Sequence, residues 1–241
     1  MFEPEELIKQ AIERHKDHVA VACSFGKDSV AVTHMALKYK ADIPIIFCNT
    51  GVEFPETIKY KNELRELWNL NLIETFPIKT FWQCIEEYGF PTMRNKGNSR
   101  VPKCCIYCKE KPALQIYKDN NINAVITGIS GTESRQRSLL IKRYDNSELY
   151  LDGVKVCGQR YYAKQTGIWK YHPLAYWEQD QVWDYFKIHE ILINPVYLKW
   201  NGIYKRCGCL PCPSYKDWEN KLPVTHPSLY LKLIKLREQY G

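Results

Sequence analysis

The residues best suited to chemistry form a short polar loop, in the run Val-Ala-Val-Ala-Cys-Ser-Phe-Gly-Lys-Asp-Ser that ends at Ser29. The apolar residues 19–22 predict a buried strand, and the apolar residues 30–40 predict a helix. The first N–H groups of a helix have no partner inside it, and the helix dipole favours an anion there. Gly26 lets the backbone approach a ligand, and Lys27 adds a positive charge. The loop therefore indicates an anion site, although an ordinary strand-to-helix turn could have the same composition.

Ten cysteines form the second group of residues that could do chemistry. Disulfides are rare in reducing compartments, so clustered cysteines favour metal binding or redox chemistry. The clustered ones are Cys104, Cys105, Cys108, Cys207, Cys209 and Cys212. A Cys-x-x-Cys spacing suits zinc as well as an iron–sulfur cluster, but two adjacent cysteines are unusual as ligands of one zinc ion. The remaining four are interpreted as small buried hydrophobic residues: Cys23, Cys48, Cys84 and Cys157.

Two further loops carry polar residues. The segment 49–57, Asn-Thr-Gly-Val-Glu-Phe-Pro-Glu-Thr, is by itself typical of a strand-to-helix connection with a glycine turn. The segment 128–137 contains Arg135 and Arg137 beside Glu133 and Ser134. Guanidinium groups bind phosphate or sulfate through two parallel hydrogen bonds. This loop therefore suits either an anion site or a solvated charged turn.

An alternation of strands and helices positions these loops. Strands are predicted at residues 19–22, 43–48, 71–76 and 124–128, and helices at 4–16, 30–40, 55–68, 81–88 and 104–118. This pattern predicts an α/β fold, a doubly wound and mostly parallel sheet with helices on both faces, plus a Cys-rich C-terminal segment. Ligands of such sheets bind beyond the carboxyl ends of the strands. The loops at Ser24, 49–51 and 128–137 are therefore expected to converge at one crevice.

The remaining segments suggest additions to a single domain covering residues 1–241. A nucleotide-binding core spans about 17–140, an inserted hairpin about 145–165, and a cluster-bearing helical part about 168–241. The hairpin is expected to turn at Asp152-Gly153. Helices are predicted at 177–188 and 226–239. The polar segment 92–103 is predicted to be a mobile basic loop, with Arg94, Lys96, Arg100 and Lys103.

Composition excludes a membrane-spanning chain and leaves the partners open. The 34 basic and 27 acidic residues give a formal charge of +7, which suits a polyanionic ligand or nucleic acid but is also common in ordinary enzymes. No apolar run approaches the roughly 20 residues that span a bilayer. Residues 1–6 are acidic and lack the apolar core of a signal peptide, so a cytoplasmic protein is expected.

The first loop is not a Walker A loop and resembles the Ser-x-Gly-x-Asp-Ser pyrophosphate loop of the adenine-nucleotide alpha hydrolases, or PP-loop ATP pyrophosphatases. Segments 49–57 and 128–137 are similar to the Asp-Thr-Gly-x-x-Phe-Pro-Glu-Thr and Gly-x-Arg-x-x-Glu-Ser-x-x-Arg segments of the phosphoadenylyl-sulfate (PAPS) reductase family. Two positions depart from the family, with Asn49 for Asp and Ser130 for Arg. The resemblance implies an adenine-nucleotide site made of Ser24, Phe25, Gly26, Lys27, Asp28, Ser29, Thr50, Gly51, Gly128, Glu133, Ser134, Arg135 and Arg137.

The cysteines extend this resemblance. Residues 103–112 are similar to the Lys-Cys-Cys-x-x-x-Lys-x-x-Pro segment of cluster-bearing adenylyl-sulfate (APS) reductases, and residues 208–213 to their Gly-Cys-x-x-Cys-Pro segment. The resemblance implies a 4Fe-4S cluster on Cys104, Cys105, Cys209 and Cys212, with zinc as the alternative. Cys108 and Cys207 have no counterpart. Residues 172–185 are similar to a family segment that begins His-Pro, where His172 is interpreted as structural rather than catalytic.

Two departures bear on the reaction. Dedicated reductases of this family lack the Lys-Asp pair of the loop and use a cysteine in a C-terminal tail, whereas residues 236–241 contain none. The leading hypothesis is therefore ATP-dependent sulfur transfer, with Mg²⁺-ATP as ligand, Lys27 and Asp28 as catalytic residues and a nucleic acid as one acceptor. A sulfonucleotide reductase with a thiol-donor protein, and a non-catalytic nucleotide- or nucleic-acid-binding subunit, are the alternatives. A sulfur-donor protein and a homodimer are further expectations.

Overall fold

A computed structural model describes residues 1–91, 102–212 and 217–241 of the chain. The predicted basic loop therefore lies outside the described residues, except for Pro102 and Lys103. The chain divides into two compact units. The first contains Met1–Phe47, Lys61–Ile73 and Ile116–Asn194, and the second contains Cys48–Tyr60, Glu74–Gln115 and Pro195–Gly241. The single-domain interpretation stays a prediction.

A six-stranded sheet organises the first unit. The eight strands of the described chain are β1 Val19–Ala22, β2 Ile45–Cys48, β3 Leu72–Thr75, β4 Ala124–Thr127, β5 Tyr150–Leu151, β6 Val154–Lys155, β7 Arg160–Ala163 and β8 Ile168–Tyr171. The order in the large sheet is β3-β2-β1-β4-β8-β7. β1 is parallel to β2 and β4, β4 is parallel to β8, and the edge strand β7 is antiparallel to β8. The predicted doubly wound, mostly parallel sheet is confirmed.

The described helices are α1 Pro4–His15, α2 Lys27–Leu37, α3 Pro55–Leu67, α4 Phe81–Tyr88, α5 Lys103–Cys105, α6 Lys111–Asp119, α7 Arg135–Asp145, α8 Gln179–Ile188, α9 Trp218–Thr225 and α10 Pro227–Tyr240. The local sequence explains where several of these helices begin or end. Pro4 and Pro227 occupy first-turn positions, where the missing N–H costs nothing. Thr80 and Gln83 form a capping box at the start of α4, and Gly89 ends that helix with φ of 81°. None of these helices is long and apolar enough to cross a bilayer.

The second unit has its own apolar core. Phe54, at the start of α3, contacts the ring of Tyr204 edge-on at 4.8 Å between centroids. The other buried members come from α4, from the segment after Pro195, and from α9 and α10: Phe81, Ile85, Phe90, Val196, Leu210, Trp218, Leu222 and Leu233. This core lies beneath the segments that carry the clustered cysteines.

Three elements differ from expectation. The predicted helix 104–118 is interrupted by a π-helical turn at Ile106–Glu110, which joins α5 to α6. Helix α7 was not predicted, because its charged sequence and single buried apolar residue, Ile141, give no clear apolar stripe. Helix α9 was also not predicted, and it contains Pro223, a residue that is unfavourable inside a helix. The predicted hairpin turn is confirmed, with Asp152 and Gly153 both in left-handed conformation between β5 and β6.

Candidate nucleotide and metal sites

The predicted phosphate loop follows β1, at the point where the strand order of the sheet reverses. β1 lies between β2 and β4. After β1 the chain continues into one half of the sheet, and after β4 it continues into the other half. In open α/β sheets, ligands bind at the carboxyl ends of strands at such a reversal. The sequence therefore places residues 24–29 where the fold provides a crevice.

The hydroxyl of Ser29 holds the loop together. Its Oγ accepts a hydrogen bond from the Ser24 backbone N at 3.2 Å and donates one to the Gly26 carbonyl at 2.9 Å. Phe25 has φ of 56° and a fully buried ring that contacts Phe47 edge-on at 5.3 Å. The Asn194 side chain donates to the Phe25 carbonyl at 3.0 Å. These contacts fix a left-handed backbone that a non-glycine residue adopts at a cost.

Lys27 and Asp28 form a buried ion pair in the first turn of α2. The Lys27 Nζ lies 2.8 and 2.7 Å from the two carboxylate oxygens of Asp28, and the two residues are only 4% and 9% exposed. Gly26, the N-cap residue of α2, has no side chain with which to cap the helix. A cation, a carboxylate and the positive end of an 11-residue helix thus meet at one place. This combination suits a polyphosphate accompanied by a divalent cation.

The loop after β4 packs directly on this helix start. A Cβ added to Gly128 would lie 2.5 Å from the carbonyl carbon of Asp28 and from the backbone N of Ser29. Any side chain at position 128 would therefore displace the first turn of α2. The structure brings the predicted residues Gly128, Asp28 and Ser29 together as the sequence analysis expected.

The charged residues beyond Gly128 have structural partners of their own. Ser134 caps α7 by accepting a hydrogen bond from the Arg137 backbone N at 3.3 Å. The Arg137 guanidinium pairs with Glu133, four residues earlier, whereas Arg135 is exposed. Glu133 and Arg137 can thus position one another, and Arg135 presents its charge to solvent. Their roles at a nucleotide stay predictions.

Ser130 explains one departure from the family pattern. It is fully buried, and its Oγ donates to the Trp177 carbonyl at 2.9 Å and accepts from the Thr132 backbone N at 3.1 Å. A long arginine side chain would have no room at this position. Ser130 therefore has a structural role, tying the loop after β4 to the segment before α8.

His172, at the end of β8, is buried and neutral. It is 1% exposed, and its Nδ1 lies 2.7 Å from the hydroxyl of Thr127. Burial, together with the nearby charges of Lys170 and Arg137, lowers the pKa of His172 to about 3. This environment agrees with the structural interpretation of His172.

His172 should make the protein less stable in mild acid. Its pKa in the folded state lies below the unfolded value of 6.5, so the unfolded chain binds more protons between these values. The contribution of His172 to the free energy of unfolding is greatest above about pH 6.5 and falls as the pH drops toward 3. Between pH 7 and pH 5 the loss is about 2 kcal/mol. Unfolding by urea at both pH values should show that His172→Gln reduces this loss. An unchanged pH dependence in the variant would contradict the assignment.

Five of the six clustered cysteines line one pocket of the second unit, and Cys207 does not. Cys104, Cys105 and Cys108 come from α5 and the π-helical turn, and Cys209 and Cys212 come from the loop before α9. The pocket encloses about 390 Å³, and its remaining lining residues are Thr50, Val52, Phe81, Pro91, Pro102 and Lys109. All four predicted ligands therefore face the same space, together with a fifth cysteine. We call this the cysteine pocket.

Three cysteines of the pocket have raised pKa values, which disfavours their thiolate forms. A hydrogen bond with Cys104 is the main cause that raises the pKa of the Cys105 thiol, and burial raises it as well. Burial raises the pKa of Cys209, and it raises that of Cys108 to about 12. Binding of a metal group must therefore displace protons, and Lys109 supplies a positive charge that favours the thiolate of Cys209.

The segment after β2 holds the second pair of cysteines in place. The Leu210 backbone N donates to the Val52 carbonyl at 2.7 Å, and Glu53 and Cys209 form an isolated antiparallel bridge. The buried Thr50 donates from Oγ1 to Glu53 at 2.6 Å and lies 3.4 Å from the Cys209 sulfur. This link between Thr50 and the cysteines was not predicted. The assignment of Thr50 and Gly51 to adenosine stays a prediction.

The contacts of Asn49 account for the second departure from the family pattern, which has an aspartate at this position. Its amide donates to the Glu74 carboxylate at 2.7 Å, and its Oδ1 accepts from the Gly51 backbone N at 2.9 Å. An aspartate here would place two carboxylates within hydrogen-bonding distance, which disfavours both charges. Asn49 keeps the turn at Gly51, where φ is 75°, without that repulsion.

The donors of the cysteine pocket are thiols, which suit an iron–sulfur cluster and also zinc. Within the described ranges, no three Cys, His, Asp or Glu side chains are grouped as one metal ion would need. The 4Fe-4S cluster therefore stays a prediction. Cys104, Cys105, Cys209 and Cys212 would hold it, with Cys108 beside them.

One thiol contact was missed by the sequence analysis. Cys84, in α4, is 3% exposed and exchanges a side-chain hydrogen bond with Cys108. Cys108 also donates from its sulfur to the Lys79 carbonyl at 3.3 Å. The 23 residues between these cysteines gave no signal of the contact. Cys84 is thus buried as expected but lies beside the clustered cysteines.

The sheet and its helices define an α/β fold of the kind that binds ligands at the carboxyl ends of its strands. Residues 18–215 match the phosphoadenosine phosphosulfate reductase domain. The chain belongs to this family, whose members are enzymes that bind adenine nucleotides.

Relatives and solved structures agree with this membership. The APS reductase of Staphylococcus haemolyticus is 26% identical over 86% of this chain and 75% of its own length. An uncharacterized Methanocaldococcus jannaschii protein is 28% identical over 97% of this chain, but this chain spans only 44% of that protein. The crystal structure of PAPS reductase from Candida auris superposes with a TM-score of 0.61 at 20% identity, covering 86% of this chain and 88% of that one. At this identity the likeness shows the fold alone.

Proposed function

We propose that the protein uses ATP to drive sulfur transfer and carries a 4Fe-4S cluster. The observation that carries this proposal is the buried Lys27–Asp28 pair in the first turn of α2, after a loop that resembles those of ATP-cleaving enzymes. Lys27 would neutralise phosphate charge, and Asp28 would hold Mg²⁺ on the nucleotide. Phosphoryl and nucleotidyl transfers depend mostly on such positioning and charge neutralisation.

The reaction proposed has two balanced steps. A carbonyl oxygen of the acceptor attacks the α-phosphorus of ATP, the bond to the β-phosphate breaks, and pyrophosphate leaves. Hydrosulfide then adds to the activated carbon, AMP leaves with the former carbonyl oxygen, a proton is released, and a thiocarbonyl remains. A nucleobase is one acceptor class with such a carbonyl. A cluster on Cys104, Cys105, Cys209 and Cys212 would supply a binding position for the sulfur.

A second candidate function is reduction of a sulfonucleotide with release of sulfite. The names of several relatives, all APS reductases at 24–26% identity, favour it. The reaction needs a nucleophilic thiol and a thiol reductant. Cys108 is a candidate for that thiol because it lines the cysteine pocket without belonging to the predicted ligand set.

Comparison of three nucleotides tests the proposal. The protein should be purified without oxygen, and its thermal unfolding compared with Mg²⁺-ATP, APS or PAPS at about a hundred times each dissociation constant. A ligand that binds only the folded state stabilises it by about 2.7 kcal/mol under this condition. Selective stabilisation by Mg²⁺-ATP with release of pyrophosphate is expected. Selective stabilisation by APS or PAPS with release of sulfite would replace the proposal by the reductase alternative. Binding without either product would leave a non-catalytic subunit.

A further inference from the structure

Two tyrosines of the second unit stack on each other beside the cysteine pocket. The rings of Tyr88, at the end of α4, and Tyr107, in the π-helical turn, are 5.6 Å apart with planes 7° from parallel. The Tyr88 hydroxyl donates to that of Tyr107 at 3.1 Å. Both rings are partly exposed. The stack therefore presents a flat aromatic surface next to solvent.

Three lysines surround this stack. The Nζ of Lys79 lies 5.2 Å from the Tyr88 ring centre and 5.0 Å from that of Tyr107. The Nζ of Lys103 lies 5.5 Å from the Tyr88 ring, and that of Lys111 lies 4.5 Å from the Tyr107 ring. We call these five residues the tyrosine–lysine patch.

The patch carries an excess of positive charge. Lys79 pairs with the Glu87 carboxylate. Lys103 and Lys111 are exposed, and neither forms an ion pair with a carboxylate of the described chain. These two lysines are therefore positive charges of the patch that an external anion can reach.

Exposed apolar residues adjoin the patch. The Ile78 backbone N donates to the Tyr107 carbonyl at 3.0 Å, which fixes the segment before Lys79 against the π-helical turn. In this segment Phe76 and Ile78 are 66% and 61% exposed. The exposed phenyl ring of Phe76, in the segment bonded to the π-helical turn, provides a surface on which a base can stack.

The patch also borders a pocket that reaches a predicted cluster ligand. Tyr88 and Lys103 line a cavity of about 360 Å³ together with Cys84 and Cys104. Cys104 lines the cysteine pocket as well. A strand bound on the patch would therefore lie close to a predicted ligand of the cluster.

We propose that the tyrosine–lysine patch binds a single-stranded nucleic acid. Lys103 and Lys111 contact its phosphates, Phe76 stacks on a base, and the bound strand lies beside the pocket that Cys104 lines. Transfer of sulfur to this strand rests on the proposed function, whereas strand binding does not. A single strand is favoured over a duplex because stacking requires exposed base faces.

Oligonucleotide binding tests this inference. Fluorescence anisotropy should be measured without ATP, using labelled RNA and DNA single strands of about 20 nucleotides, which exceed the usual site of about 4–16. Lys103→Ala/Lys111→Ala should weaken binding about tenfold or more and reduce the salt slope by about 1.4, since each phosphate contact on a single strand contributes about 0.7. Phe76→Ala should weaken binding about fivefold or more, as expected for loss of one stacked base.

A matched double variant controls for net charge. Lys232→Ala/Lys235→Ala removes two exposed lysines of the same unit, of which Lys232 also lies over an aromatic ring, 3.7 Å from the centre of Trp82. It should bind the strands as the unaltered protein does, and both double variants should retain the iron content. Equal loss in the two double variants would overturn the inference, and so would tighter binding of duplex DNA or of poly-glutamate.

Strand binding and ATP cleavage, measured separately, distinguish this inference from the proposed function. A preference for RNA or for DNA would identify the source of the strand, and both results support the patch. Normal pyrophosphate release from ATP with no strand binding would reject nucleic-acid binding at the patch and retain the proposed reaction. Specific strand binding with no ATP cleavage would retain the patch and reject that reaction.

Discussion

Lys27→Ala should reduce pyrophosphate release from Mg²⁺-ATP at least 100-fold while bound iron and sulfide remain unchanged. Loss of one preorganised charge or donor at a reacting phosphate costs about 10²–10³ in rate. The change also leaves the Asp28 carboxylate buried without the Lys27 ammonium that lies 2.7 Å away. Removing one partner of a buried pair destabilises a protein by about 3–5 kcal/mol. Rates should therefore be measured by a pyrophosphate assay at a temperature where urea unfolding shows the variant to be folded.

Two variants separate catalysis from folding in this experiment. Lys27→Gln/Asp28→Asn replaces the ion pair by two neutral groups that can hydrogen-bond, so it should recover stability but not turnover. Lys9→Ala, which removes an exposed lysine of α1, should retain both. Pyrophosphate release at the original rate by a folded Lys27→Ala protein would exclude Lys27 from the reaction.

Serine in place of any one of Cys104, Cys105, Cys209 or Cys212 should abolish stable binding of the cluster. Each substitution removes one of four thiolates, and a serine hydroxyl is a poor ligand for iron in such clusters. The unaltered protein should contain about four iron atoms and four sulfides per chain after anaerobic purification. Iron, acid-labile sulfide and zinc should be measured for every variant. All four should lose iron and unfold at a lower temperature, because metal binding is coupled to folding.

Two other cysteines serve as controls for the ligand set. Cys157→Ser alters a cysteine of the first unit and should leave the iron content unchanged. Cys108→Ser alters the fifth cysteine of the pocket and should also retain iron. Loss of iron from Cys108→Ser but not from Cys105→Ser would replace Cys105 by Cys108 as a ligand. One zinc ion per chain with no sulfide would establish the zinc alternative.

The parallel sheet could be predicted because its strands are short, apolar and alternate with helices. β1 and β4 are buried along most of their length, so their sequences are apolar runs bounded by polar loops. The phosphate loop could be predicted because its chemistry is local: Gly26, Lys27 and Asp28 are consecutive and lie at one helix start. The same holds for α4, whose capping residue and terminal glycine both stand in the sequence.

The parts that were missed depend on contacts between distant residues. The bond between Thr50 and Cys209 joins positions 159 residues apart, and no local pattern contains it. The contact of Cys84 with Cys108 arises only because α4 and the π-helical turn lie together. The π-helical turn itself has ordinary helix-forming residues, so its extra residue per turn is decided by packing around Cys108 rather than by propensity.

The path of the chain between the two units gives the cysteine pocket the role of a cross-link. Neither unit is continuous in sequence, and the chain passes from one to the other after Phe47, Tyr60, Ile73, Gln115 and Asn194. Any group bound jointly by Cys105 and Cys209 closes a loop that contains the whole stretch Ile116–Asn194. Closing a loop of this length removes more freedom from the unfolded chain than closing a short one. A group bound there would therefore restrict the unfolded chain across strands β4 and β8, even though those strands hold none of its ligands.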